Sequence, residues 1–167
     1  MAEIQNSGSA FFMQLQLLRS AEQMLTKAMP GMIDKATNFG LKKNLAFHLA
    51  ETHQHKTALD AICKQLDVDA NGKMNEEIKS MIEEGQQQMS EENKGEALDA
   101  VIIKAALKIE QYEIEEYEKA AQYAIQSGYK AIGGRLYLTR EEEKQAETKL
   151  RFAKKGLHEQ KKQPASV

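Results

Sequence analysis

Residues 96–126 read EALDAVIIKAALKIEQYEIEEYEKAAQYAIQ. Apolar side chains return there every three or four positions, giving the stripe Ile102, Ala106, Ile109, Glu113, Tyr117, Ala120 and Ala124. The stretch holds no proline or glycine, and Ser127-Gly128 closes it. It predicts one helix of thirty-one residues, which would span roughly 45 Å. One member of the apolar stripe, Glu113, is a carboxylic acid. That combination of a long amphipathic helix with an acid on its inner face sets the reading of the rest of the chain.

The same periodicity recurs on both sides. A helix is predicted from about Ser9 to Phe39, with Phe11, Leu15, Leu18, Leu25, Met29 and Met32 on one face and Glu22 among them. Pro30 should kink it or end its regular part. Asn38-Phe39-Gly40 reads as its stop, with Gly40 suited to a left-handed C-terminal position. A second helix follows from about Leu41 to Leu66, with the stripe Leu41, Leu45, His48, Thr52, His55, Leu59, Ile62 and Leu66. Residues 67–72 break it, a shorter helix is predicted from Asn75 to about Met89, and Ser90 to Gly95 is a polar turn. After the helix of residues 96–126, a last one is predicted from about Lys130 to Glu159, with Ile132, Leu136, Thr139, Glu143, Ala146, Leu150 and Ala153 on one face. The expected organisation is a flexible segment 1–8, one domain over 9–159 and a disordered tail 160–167. Four long helices bury their stripes best against one another. With a long second connection carrying a short helix, the predicted fold is all-α: a ferritin-like antiparallel four-helix bundle.

Composition agrees. The chain has 167 residues, 41% hydrophobic and 29% charged, and only two prolines, as expected for a soluble helical domain. The net charge of −2 gives no basic face of the kind nucleic-acid binders carry. The one basic cluster, Lys154, Lys155, Lys161 and Lys162, reads as a solvated helix end. Cys63 is the sole cysteine, so no intramolecular disulfide forms, and it reads as a small core residue. Neither a signal peptide nor a membrane span is evident, and a cytoplasmic location is expected.

Each predicted stripe is interrupted by polar residues near its middle: Glu22; His48 with Glu51 and His55; Glu110 with Glu113; and Glu143 with Glu147. Residues three or four apart share a helix face. Burying acids from four helices at one level requires compensating cations or protons. A pair of metal ions would compensate them, since carboxylate and imidazole donors suit iron, manganese or zinc. The strict Glu-x-x-His of carboxylate-bundle metal sites is absent, because Gln54 and Ala146 stand where the histidines would be. Taken singly, each acid reads as a solvated surface residue sooner than as a ligand, and it is the coincidence on four helices that points to a site. His48 reads equally as a hydrogen-bonded core histidine or an outer partner of the site. His53 reads as solvent-facing, and His158 as part of the tail end. Tyr112 and Tyr117 fall near the acids, and ordinary packing accounts for either. The run Asp67-Val68-Asp69-Ala70-Asn71-Gly72 opens like a calcium loop, but its twelfth position is Ile78 where a bidentate glutamate is needed. It reads as a helix-ending turn.

Four motifs together resemble the YciE/YciF stress-protein family over about residues 10–153: Ser20-Ala21-Glu22-Gln23 before Leu25, His48-Leu49-Ala50-Glu51-Thr52, Glu110-Gln111-Tyr112-Glu113-Ile114 and Glu141-Glu142-Glu143-Lys144. The resemblance implies an antiparallel four-helix fold with extra short helices, a homodimer and a rubrerythrin-like dimetal centre. It carries Glu22, Glu51, Glu110, Glu113 and Glu143 over as ligands, with His55 and Glu147 as further candidates. The sequence departs from the family at Ala50, where relatives often have glutamate, at Gln111, where histidine is common, and at Arg19, where tyrosine is common. Two functions are expected to compete. One is a stress-response metalloprotein whose two metal ions, iron or else manganese or zinc, react with oxygen or peroxide. The other is a structural or interaction bundle that has lost the metal chemistry.

Overall fold

The computed structural model describes the backbone of residues 2–160 and the side chains of residues 8–157. Five helices form, with no strand among the described residues: α1 (Ala2–Lys35), α2 (Phe39–Gln65), α3 (Glu76–Ser90), α4 (Glu96–Gln126) and α5 (Lys130–Gln160). The expected tail lies outside the described residues apart from the backbone of Gln160. The side chain of His158 lies outside them too.

Gln14 of α1 meets Glu116 of α4, whereas Thr37, just beyond α1, meets Asp99 near the start of α4. These two helices therefore run antiparallel. His55 pairs with Glu142, and Phe47 lies against Lys149, so α2 and α5 are antiparallel as well. Around the bundle the order is α1, α2, α5, α4, each antiparallel to its neighbours. Residues 66–95 carry the chain diagonally from the end of α2 back to the start of α4, and α3, inside this crossover, packs on α1 and α4. This is the ferritin-like arrangement with one long connection.

Two large apolar clusters fill the bundle. One, around Phe11, Leu15, Leu18, Leu59, Tyr117 and Leu136, occupies the end where α2 stops and α5 starts. The other, around Leu41, Leu45, Leu98, Ile102, Ile103 and Leu150, occupies the opposite end. The polar interruptions fall between them.

Both ends of α1 differ from expectation, and it begins at Ala2 where a start near Ser9 was expected. α1 stops at Lys35, and Asn38, extended at φ −69° and ψ 124°, is the N-cap of α2, its side chain accepting from the Leu41 N–H at 3.0 Å. Gly40 is thus the second residue of α2 and takes no left-handed conformation. Pro30 lies inside α1 and does not end it. Buried Met29 and Met32 on either side hold the helix in the core against the lost hydrogen bond. The calcium-like run folds as the turn after α2. There Asp69 accepts from the Asn71 N–H, and Arg19 binds Asp60 and the Asn71 side chain. No described helix is long and apolar enough to cross a membrane.

Candidate metal centre

α2 contributes the nitrogen donors. His48 and His55 are seven residues apart, two helical turns, so both face the bundle axis about 10 Å apart along the helix. α1 contributes Glu22, α4 contributes Glu110 and Glu113, and α5 contributes Glu143, all four buried. Glu110 and Glu113 share a face because they are three apart.

Glu143 lies between the two imidazoles. Its Oε1 is 2.8 Å from His55 Nδ1, and its Oε2 is 3.7 Å from His48 Nε2. His48 Nε2 also lies 2.8 Å from Glu110 Oε1, and His55 Nδ1 lies 3.5 Å from Glu22 Oε1. The Tyr117 hydroxyl donates to Glu22 Oε1 at 2.5 Å. Two donor groups result, each with ligand atoms within 4.8 Å of one another: His48, Glu110, Glu113 and Glu143; and Glu22, His55 and Glu143. Glu143 belongs to both.

These acids lack ordinary partners. Neither oxygen of Glu113 has a hydrogen bond, nor does Glu22 Oε2 or Glu110 Oε2, although all are buried. Glu143 meets the imidazoles as ion pairs, without a well-directed hydrogen bond. Burial, followed by the Glu22, Glu143 and Glu110 charges, holds the Glu113 carboxyl well above the usual carboxylate range. Burial and Glu110 push Glu143 up to about 8 against the opposing pull of the imidazoles. Burial would lower both histidines, but Glu110, Glu51 and Glu143 raise His48 well above its ordinary value, and Glu143 and Glu22 raise His55 to about 11. Without metal the cluster therefore retains protons. The donor set itself fits a different solution: four carboxylates carry four negative charges, which two divalent cations neutralise with both imidazoles uncharged.

Of the seven sequence-predicted residues, the two groups contain Glu22, His55, Glu110, Glu113 and Glu143. Glu51 and Glu147 fall outside both. Glu51 Oε2 lies 3.5 Å from the outward-facing His48 Nδ1. Glu147 accepts from Arg151 at 2.6 Å and from Gln111 at 3.3 Å at the bundle rim. His48, which the sequence left between two readings, faces Glu110 directly. Its place on the same stripe as His55 was the available signal. Glu142 entered the sequence reading only as part of a family motif and not as a site residue, yet its Oε2 lies 2.7 Å from His55 Nε2. Tyr112 turns away to hydrogen-bond Asn75, whereas Tyr117 reaches the centre. All three departures from the family pattern lie off the cluster: Ala50 is exposed, Arg19 holds the turn after α2, and exposed Gln111 bonds Glu147 at the rim.

A family model described as a domain of unknown function, DUF892, matches residues 7–162. Protein YciF of Escherichia coli strain K12 is 33% identical over 135 residues, covering 78% of this chain and 80% of that protein. The crystal structure of the Escherichia coli stress protein YciF superposes with a TM-score of 0.86 at 29% identity, over 92% of this chain and 97% of that one. YcfI of Rhodopseudomonas palustris, for which a structural role has been suggested, superposes with a TM-score of 0.83 at 34% identity, over 87% of this chain and 92% of that one.

Proposed function

The chain belongs to the DUF892 family and is a relative of the stress protein YciF, and from that premise we propose that it holds two divalent metal ions, iron foremost, at its buried acid–imidazole cluster and brings them to oxygen or peroxide under stress. The observation that carries this reading is the position of Glu143, shared by two buried donor groups that each contain an imidazole. Bound ferrous ions would supply the electrons for reducing the oxidant. The chain's own part is to bind, orient and shield. Tyr117 fixes one oxygen of Glu22 and leaves the other free. Glu113 brings two unpartnered oxygens. Leu25, Met29, Met32, Leu45 and Ile109 line the apolar side of the cluster at His48 and Glu110, which strengthens electrostatic contacts there by excluding water. The homodimer implied by the resemblance is part of the same proposal, and sedimentation of the purified protein tests it.

The deciding experiment is metal content by mass spectrometry after anaerobic loading with Fe(II) and desalting. Near two ions per chain are expected, with both weakened in Glu143→Ala because the two groups share that residue. Retention of no metal by the unaltered protein would favour the second reading, a structural or interaction bundle. That reading draws support from YcfI and from the way the imidazoles pair with the acids when protonated.

A further inference from the structure

His55 is held at both ring nitrogens. Nδ1 faces inward, 2.8 Å from Glu143 and 3.5 Å from Glu22. Nε2 faces the seam between α2 and α5 and meets Glu142 at 2.7 Å. Glu142 and Glu143 are consecutive on α5, so their side chains leave the helix about 100° apart. One points to the bundle axis and the other to the flank. Glu142 is 49% exposed at its side chain, whereas Glu143 is 1% exposed. The same helix thus grips the imidazole from its buried side and from its solvent side.

We propose that Glu142 is the positioning residue of the His55 half of the centre: it accepts the Nε2–H, fixes the tautomer and ring plane, and leaves the Nδ1 lone pair for the metal. The inference rests on the dimetal reading above and adds which nitrogen of His55 binds and what selects it. A metal-ligating histidine ordinarily donates its other N–H to such an outer acceptor, and losing the acceptor weakens the metal roughly 10–100-fold. His48 is turned the other way round, with Nε2 toward Glu110 and Nδ1 toward Glu51 at a looser 3.5 Å. The two halves therefore differ in their outer support, and removing Glu142 should affect only one of them.

The test is an anaerobic titration with Co(II), whose visible absorption reports the donors around it, on the full chain and three variants. Glu142→Ala should keep one ion at unaltered affinity and bind the second roughly 10–100-fold more weakly, with a changed spectrum for that ion alone. Glu142→Gln, whose amide oxygen still accepts the Nε2–H, should recover most of the loss. Glu141→Ala removes the same charge from the neighbouring exposed position, where Glu141 pairs with Arg140 and Lys144, and should match the unaltered protein. Two Co(II) ions bound equally by the unaltered protein and Glu142→Ala would overturn the positioning role while leaving the dimetal reading intact. Equal weakening in Glu142→Ala and Glu141→Ala would also overturn it, since the effect would then be one of charge. Absence of Co(II) binding to the unaltered protein would remove both.

Discussion

Asp99 and Glu113 are both buried carboxylates on α4, and their surroundings could hardly differ more. Asp99 accepts from the Thr37 N–H at 2.7 Å, the Thr37 hydroxyl at 2.6 Å and the Asn38 N–H at 2.9 Å, tying the α1–α2 loop to the start of α4. Glu113 accepts from nothing. Asp99→Ala should cost about 2–4 kcal/mol, because it strands donors and removes charge-assisted bonds; urea unfolding measures it. Glu113→Leu should be neutral or stabilising in the metal-free protein while impairing iron retention, so unfolding and metal content should move independently. Cys63 is buried, and that burial pushes its thiol up. It should resist alkylation at pH 8 in the folded protein and react on denaturation, followed by mass. Sequence periodicity exposed Glu113 because an acid on an apolar stripe is conspicuous. It could not expose Asp99 or Glu142, whose meaning comes from a loop and a helix far away in the chain.

Helix ends carry their own evidence. α2 and α4 finish alike: after α4 the Tyr129 N–H reaches the Ala124 carbonyl and Gly128 sits at φ 89°, and after α2 the Val68 N–H reaches the Cys63 carbonyl with Asp67 at φ 54°. Glycine suits this position and an L side chain is strained there. Asp67→Gly should therefore raise stability by about 0.5–1 kcal/mol, read as a higher thermal midpoint. The extents of α2, α3, α4 and α5 were legible to within two residues from periodicity and breakers. The junction after α1 was misread because Asn38-Phe39-Gly40 carries signals for a stop and a start alike. What selects the start is the extended backbone of Asn38 and its bond to Leu41, with Asp99 holding it from another helix. Of the two outcomes expected at Pro30, the helix does not end there: proline disfavours a helix interior by about 3 kcal/mol, and burial of the flanking methionines offsets it.

For the whole molecule, the protons retained by the metal-free cluster set the direction of its pH response. Glu143 is raised to about 8 and His55 to about 11 in the folded state. The native chain thus binds more protons than the unfolded one from the ordinary carboxylate range upward, and its stability falls as pH rises through that window. The thermal midpoint of chelator-treated protein should drop between pH 6 and pH 9. Metal loading must displace those protons, so the stabilisation by added Fe(II) or Zn(II) should grow over the same range; parallel melts with and without metal measure both. The bundle and its acidic middle were legible because they repeat on four helices, while the division into two groups sharing one residue depends on side-chain directions that no spacing specifies. The crossover of residues 66–95 has one more consequence. It divides the donors, leaving Glu22, His48 and His55 before it and Glu110, Glu113 and Glu143 after it. Severed near residues 91–95, the chain would become a three-helix fragment of α1, α2 and α3 keeping all the nitrogen donors and an α4–α5 hairpin with three of the four acids. Neither fragment could assemble the centre by itself, so recovered metal binding on mixing would serve as a reporter of their reunion.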